Sequence, residues 1–139
     1  MMANLFKYPN MLFAYGLLRK ASDHDMSLYL RNHADYLGNG YIHGTLYLID
    51  HYPGAMIDCT SSSKIIGDIF GFNDPLLWSE LDRFEEVDSS DEYLREVVDV
   101  HFNQKILKCW VYTYKNPVNG LTAISSGDFI DYINTKQGK

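Results

Sequence analysis

The sequence contains no long apolar run. None of its hydrophobic stretches approaches the roughly 20 residues that cross a bilayer, and residues 1–10 lack the charged start and apolar region of a secretory signal. It also has no internal repeat and no low-complexity segment. These absences predict a cytoplasmic protein without a membrane partner, and the length of 139 residues predicts a single domain over residues 1–139.

Residues that commonly build metal or disulfide sites are few. The two cysteines, Cys59 and Cys109, lie far apart and form no CxxC pair, so we predict neither a disulfide framework nor a zinc ribbon. The five histidines follow neither HxxxH nor HxH spacing, so we predict no metal site. Cys59 is a weak candidate nucleophile because no activating pattern surrounds it, and a packed or exposed thiol is the favoured interpretation.

Basic residues are in the minority. The chain has 12 Lys and Arg against 18 Asp and Glu, which gives a formal net charge of −6. Nucleic-acid binders usually present a basic stripe, so we expect no nucleic-acid partner and predict a small-molecule ligand instead. Tyrosine, by contrast, is abundant, with 11 residues. Because a buried tyrosine hydroxyl needs a partner, some of these side chains are expected to line a polar pocket.

The hydrophobic pattern predicts strands joined to a few short helices. Period-two or short apolar runs predict strands over residues 11–15, 36–50, 55–57, 65–72, 94–102 and 105–114. Helical spacing predicts helices that begin near residue 24, that cover residues 76–86, and that cover residues 129–133. The expected helix caps are Ser22 or Asp23, then Asp74 followed by Pro75, and finally Ser126.

Glycines interrupt the strand that is predicted over residues 36–50. Gly38, Gly40 and Gly44 indicate bends or bulges, and Gly44 leaves room for another backbone to approach closely. Several strands with only two or three short helices indicate an α+β fold, and the glycines suit a sharply curved sheet. We therefore expect a small, partly closed sheet.

Residues 11–20, MLFAYGLLRK, combine a short buried strand with a turn at Gly16. The backbone N–H groups of Leu17 and Leu18 have no obvious strand partner, so the turn could direct donors at an anion, with Arg19 adding a cation. The alternative is a plain strand that ends in a turn. The acidic run over residues 82–92 presents a similar choice between a solvated helix end and a functional role for one of its acids.

Six short segments stand out along the chain: YGLLR at 15–19, HYPGA at 51–55, LDRFE at 81–85, YLR at 93–95, YTY at 112–114 and SGD at 126–128. In this order, from about residue 12 to residue 131, they resemble segments of the γ-glutamylcyclotransferase-like family. The first is similar to the family's YGSL or YGTL loop, and the third to its LDxFE segment.

This resemblance implies an α+β fold, a small mixed β-barrel flanked by short helices. It also implies an intramolecular aminolysis, in which the α-amine of a γ-glutamyl amine or γ-glutamyl amino acid attacks its own γ-carbonyl. The products are 5-oxoproline and the released amine. Such a reaction relies on positioning and proton transfer, so we expect no metal and no cofactor. The expected partner is the small γ-glutamyl substrate, and the expected state is a monomer or weak homodimer.

The resemblance also assigns roles to individual residues. Glu85 is similar to the family's acid/base, which takes a proton from the attacking amine. The residues implied in substrate binding are Tyr15, Gly16, Leu17, Leu18, Arg19, Tyr93 and Tyr114. Leu17 stands where the family usually has Ser or Thr, so that hydroxyl is absent while the backbone donor is kept. The alternative function is a non-catalytic small-molecule-binding or interaction module on the same fold.

Overall fold

In the computed structural model, residues 10–22, 24–85 and 92–137 are described, and they form seven strands and three helices. The strands are β1 (Met11–Ala14), β2 (Asp35–Leu48), β3 (Pro53–Ile57), β4 (Lys64–Gly71), β5 (Tyr93–Phe102), β6 (Lys105–Tyr114) and β7 (Thr122–Ala123). The helices are α1 (Asp25–His33), α2 (Pro75–Glu85) and α3 (Phe129–Gln137). No helix in this part of the chain is long and apolar enough to cross a membrane.

Five of the strands close into a barrel, in the order β2, β4, β1, β6 and β5. The last of them returns to β2 where His101 pairs with Tyr41. The sheet is mixed, because β1 runs antiparallel to β4 and parallel to β6. β3 and β7 pair with β2 outside this ring. The predicted α+β fold with a small mixed barrel and short helices is confirmed, and the pairing of β5 with β2 completes the closure.

β2 changes its partner strand along its length. Residues 35–43 pair with β4, and residues 44–48 pair with β3. The register shifts between Tyr36 and Gly38, as expected for a bulge. Gly44 lies at the change of partner with a φ of +155°, and a Cβ atom there would collide with the carbonyl oxygen of Met56. The predicted bends and the close backbone approach are therefore confirmed.

The turn between β5 and β6 has two residues, Asn103 and Gln104, with φ angles of 50° and 64°. Two left-handed residues in a two-residue hairpin match the right-handed twist of the flanking strands. The turn pairs Phe102 with Lys105 and fixes the register of the whole hairpin. The predicted turn at residues 103 and 104 is confirmed.

Helix α2 begins as predicted. The Asp74 carboxylate accepts the N–H of Leu76 at 3.0 Å, and Pro75 occupies the first helical position, where its missing N–H costs nothing. The predicted last residue, Glu86, lies outside the described residues.

The caps of α1 and α3 differ from the prediction. His24 caps α1, because its Nδ1 accepts the N–H of Met26 at 3.1 Å. Ser22 lies two residues before this cap and accepts the N–H of His24, and Asp23 lies outside the described residues. At α3 the predicted cap, Ser126, accepts the N–H of Asp128. The Asp128 carboxylate accepts the N–H of Asp131 and so takes the capping position.

β1 lies between two hydrophobic cores. Phe13 points into the core inside the barrel, whereas Leu12 and Ala14 belong to a second core that includes Leu30 of α1 and Leu81 of α2. This split follows from the alternation of side chains along a strand. The loop after β1 therefore starts where the barrel meets the two helices.

Candidate active site

A cavity of about 250 Å³ opens at the end of β1. Its wall combines the loop after β1, the turn before β3, the last turn of α2 and the start of β5. The residues that line it are Leu12, Phe13, Ala14, Tyr15, Gly16, Leu17, Leu18, His24, His51, Tyr52, Pro53, Phe84, Glu85, Glu92, Tyr93 and Tyr112. The structure thus brings together six of the eight predicted site residues, namely Tyr15, Gly16, Leu17, Leu18, Glu85 and Tyr93.

The loop after β1 supplies backbone donors to the wall of this cavity. Gly16 allows the turn, because a Cβ atom there would lie 2.8 Å from the ring of Pro53. The loop closes through a hydrogen bond from the N–H of Arg19 to the carbonyl of Gly16 at 3.0 Å. Within the described residues, the N–H groups of Leu17 and Leu18 have no acceptor. Two N–H groups without an acceptor in the described part of the chain therefore belong to residues that border the cavity.

Tyr15 holds this loop in place through hydrogen bonds of its hydroxyl. Its hydroxyl donates to the carbonyl of Tyr112 at 2.6 Å and accepts the N–H of Ala55 at 3.2 Å. Burial, and secondarily the charge of Glu85, raise the pKa of Tyr15 far above its ordinary value. Tyr15 therefore stays neutral and joins the loop to two strands.

Glu85 is the last residue of α2 and lies on the cavity wall. The helix is held in place by Leu77 and Leu81, which are fully buried on its inner face. The Glu85 side chain keeps some contact with solvent, and no described residue hydrogen-bonds to it. Burial first, and the nearby Asp82 second, raise the pKa of Glu85 from 4.5 to about 8. The carboxyl can therefore both take up and release a proton near neutral pH.

Asp82, one turn before Glu85, is held by a cluster that we call the Asp82 clamp. Its carboxylate accepts hydrogen bonds from NH2 of Arg95 at 3.1 Å and from the hydroxyl of Tyr112 at 2.7 Å, and Nε of Arg95 forms an ion pair with it at 2.9 Å. The guanidinium carbon of Arg95 lies 4.6 Å from the ring centres of both Trp78 and Trp110. Sequence reasoning missed this clamp, although the LDRFE and YLR segments contain both charged residues.

Arg19 does not line the cavity, contrary to the prediction. It is buried, with its Nε 3.2 Å from Asp68 and its NH1 2.7 Å from Asp128. Asp68 is also buried and accepts the N–H of Lys20 and the amide of Asn39. A buried carboxylate needs a cation close by, and Arg19 is the residue that supplies it. Arg19 therefore anchors the loop to β4 and to the start of α3.

The two predicted tyrosines from β5 and β6, Tyr93 and Tyr114, differ in position relative to the cavity. Tyr93 lines the cavity, and its hydroxyl donates to the carbonyl of Pro53 at 2.6 Å. Tyr114 is absent from the lining, contrary to the prediction. Its ring packs against Tyr93, with 5.8 Å between the ring centres, and its Cβ approaches Gly54. Because the β6 strand places Tyr114 behind the turn before β3, it supports the wall from outside.

Tyr52 and Glu92 form one side of the cavity and were not predicted. The Tyr52 hydroxyl donates to the Glu92 carboxylate at 2.8 Å, and burial together with this bond raises the pKa of Tyr52 to about 12. The HYPGA segment contains Tyr52, but nothing in the acidic run distinguishes Glu92 from its neighbours. Among the described residues, no group of three or more His, Cys, Asp or Glu could hold a metal ion.

Comparison with known proteins places this fold and cavity in a family. The family model described as "Gamma-glutamyl cyclotransferase, AIG2-like" matches residues 12–131. The chain belongs to this γ-glutamylcyclotransferase family. It is 31% identical over 123 residues to "Gamma-glutamylcyclotransferase family protein YtfP" of Escherichia coli strain K12, which covers 86% of this chain and 96% of the relative.

Two solved structures extend the comparison of this family member. The solution NMR structure of protein ytfP from Escherichia coli has a TM-score of 0.61 at 28% identity, over 88% of this chain and 98% of that one. The crystal structure of an aig2-like protein from Mus musculus has a TM-score of 0.64 at 21% identity, over 78% of this chain and 80% of that one. The second likeness concerns the fold alone.

Proposed function

We propose that this chain is an enzyme that cyclises a γ-glutamyl amine or γ-glutamyl amino acid to 5-oxoproline and releases the amine. The proposal rests on the position and the raised pKa of Glu85. A carboxyl with a raised pKa lies on the wall of a cavity that is also bordered by Leu17 and Leu18, whose N–H groups are free among the described residues. A proton acceptor and anion-binding donors are the two things that this aminolysis requires.

The proposed steps use only these groups. The α-amine of the substrate attacks the γ-carbonyl carbon, a C–N bond forms, and the amine proton passes to the Glu85 carboxylate. The carbonyl oxygen becomes an oxyanion, which the N–H groups of Leu17 and Leu18 are suited to stabilise. The intermediate then collapses as the bond to the leaving nitrogen breaks, and the Glu85 carboxylic acid returns the proton to that nitrogen.

The remaining wall would position the substrate. Tyr15 and Tyr93 use their hydroxyls to hold neighbouring backbone, so they stiffen the cavity and present ring surface to a ligand. Because nucleophile and electrophile are in one molecule, a rigid cavity that holds them in contact supplies much of the rate acceleration. We propose that no metal or cofactor takes part.

A panel of γ-glutamyl amines and γ-glutamyl peptides, assayed for 5-oxoproline release, tests the proposal. On any substrate that the wild type cyclises, Glu85→Gln should lower kcat by roughly 10² to 10⁴. The matched control is Glu80→Gln, which makes the same substitution at a partly exposed position of the same helix and should retain full activity. Equal activity of the two variants would refute the assignment of Glu85.

The alternative is a binding module on the same fold, which Leu17 favours because the side-chain hydroxyl usual at this position is missing. Binding of a γ-glutamyl compound without release of 5-oxoproline from any member of the panel would support it. Leu17→Ser is then the informative variant. A gain of 5-oxoproline release in this variant would show that the rest of the site is competent for catalysis.

A further inference from the structure

The Asp82 clamp joins α2 to the hairpin formed by β5 and β6. Trp78 and Asp82 come from the helix, Arg95 comes from β5, and Trp110 and Tyr112 come from β6. The guanidinium of Arg95 meets the carboxylate with two nitrogens while the two indole rings lie close to it. Contact through two nitrogens, together with stacking, fixes both the distance and the plane of an arginine, which a single contact does not.

Glu85 needs such a restraint more than the rest of α2 does. It is the last described residue of the helix, and its side chain lies on the cavity wall. No described residue hydrogen-bonds to its carboxyl. An ionised carboxylate gains by moving from a buried position into water, so an unrestrained last turn would let Glu85 leave the cavity.

We propose that Arg95 is a positioning residue of the site: by fixing Asp82 it holds the last turn of α2 so that Glu85 stays on the cavity wall. The inference relies on the proposed function for the purpose of Glu85, but its main test requires no substrate. Asp82 and Glu85 lie three residues apart on one helix, so they are neighbours on its surface, and a restraint on the first limits the second.

The pKa of Glu85 reports its position, because burial is the largest cause of its rise. Other ionisable groups face the same space from every neighbouring element. Among the described residues they are Asp82 from α2, Tyr15 from the loop after β1, His24 from the start of α1, His51 and Tyr52 from the turn before β3, Glu92 and Tyr93 from the start of β5, and Tyr112 from β6. Arg95 lies beyond Asp82 and attracts negative charge.

These contacts predict opposite results for two roles of Arg95. If Arg95 acts only as a charge, Arg95→Met removes an attraction and raises the pKa of Glu85. If Arg95 positions Glu85, the same change lets the carboxyl reach water and lowers its pKa toward that of a free glutamate. The sign of the change in the pKa of Glu85 therefore distinguishes a positioning role of Arg95 from a role as a charge alone.

The experiment is an NMR titration of the Glu85 side-chain carboxyl in the wild type, Arg95→Met, Arg95→Lys and Arg83→Met. We expect Arg95→Met to lower the pKa of Glu85 by about 1 or more, and Arg95→Lys, which keeps the charge without the two-point contact, to lower it less. Arg83→Met is the matched control, because Arg83 forms an exposed pair with Glu80 on the same helix. Arg83→Met should leave the pKa of Glu85 unchanged.

An unchanged or raised pKa in folded Arg95→Met would overturn the proposal. If that variant does not fold, Tyr112→Phe removes one hydrogen bond from Asp82 and should lower the pKa of Glu85 by a smaller amount; no decrease there would overturn the proposal as well. Where the wild type cyclises a substrate, Arg95→Met should lower kcat by roughly 10- to 100-fold and leave KM within about threefold. A wild type without activity refutes the proposed function and leaves the titration result standing.

Discussion

Replacing Glu85 by glutamine should make the protein more stable, and increasingly so as pH rises. The folded chain holds a proton on Glu85 up to a pKa of about 8, whereas an ordinary glutamate in the unfolded chain releases it near 4.5. Below pH 4.5 both states are protonated, and the buried neutral acid is tolerated. From pH 4.5 to about 8 the unfolded chain ionises this glutamate while the folded chain keeps its proton, so the stability of the wild type falls over this window and levels off above it.

The size of the effect follows from the two pKa values. A rise from 4.5 to about 8 corresponds to at most about 5 kcal/mol once both states have ionised, at about 1.4 kcal/mol per pKa unit. The side chain keeps some contact with solvent, so we expect about 2 to 4 kcal/mol at pH 9 and less than about 1 kcal/mol at pH 5. Glutamine has a similar shape and does not titrate, so the variant lacks this cost.

Urea unfolding at pH 5, 6, 7, 8 and 9 measures the prediction as the difference in free energy of unfolding between Glu85→Gln and the wild type. Glu80→Gln controls for the same substitution elsewhere on the helix, since the Glu80 side chain is partly exposed. The reasoning is refuted if the Glu85→Gln difference stays constant across this pH range or if it falls. A gain in the free energy of unfolding of Glu85→Gln, together with the expected loss of kcat, would show that Glu85 is retained for its chemistry at the expense of stability.

Three further outcomes follow from the structure. Arg19→Met leaves buried Asp68 without its cation and should cost about 3 to 5 kcal/mol of unfolding free energy, measured by urea unfolding. Gly44→Ala should be destabilising by several kcal/mol, roughly the cost of forcing a side chain against the Met56 carbonyl at a positive φ, and should be visible as a lower Tm. On a cyclised substrate, kcat/KM of the wild type should rise with pH up to about 8, as Glu85 loses its proton, and then level off.

Two control variants accompany the stability measurements. Lys108→Met breaks the exposed pair with Asp99 and should change the free energy of unfolding by less than about 1 kcal/mol. Gly120→Ala places a methyl group where nothing lies within 4 Å, so only the positive φ opposes it, at a cost of about 1 kcal/mol. Losses in these controls as large as those in Arg19→Met and Gly44→Ala would contradict the packing arguments.

Local chemistry predicted much of the fold. The glycines of β2 indicated its bends, Asp74 and Pro75 marked the start of α2, and residues 103 and 104 marked a hairpin turn. Each of these signals depends on a few adjacent residues. Closure of the barrel depends on a pairing between Tyr41 and His101, sixty positions apart, and the resemblance to a known family supplied the barrel.

The site was predicted less completely for the same reason. Arg19 follows a glycine turn and looked like a cation for a ligand, but its partners, Asp68 and Asp128, lie far along the chain. Tyr114 follows the alternation of β6, but the sequence does not show that the turn before β3 lies between Tyr114 and the cavity. Glu85 was found through the LDRFE segment, and burial raises its pKa as expected for a carboxyl at the end of an apolar helix face toward a closed cavity.

The position of β1 has a consequence for the order of folding. This strand comes first among the described strands, yet it pairs with residues 68–71 of β4 and with Trp110 of β6. During synthesis it must wait for about a hundred further residues before its second neighbour leaves the ribosome, and such distant pairings form slowly. The loop that follows β1 therefore takes its final shape late. A nascent chain should gain ligand binding only after β6 has emerged, so binding would report completion of the barrel.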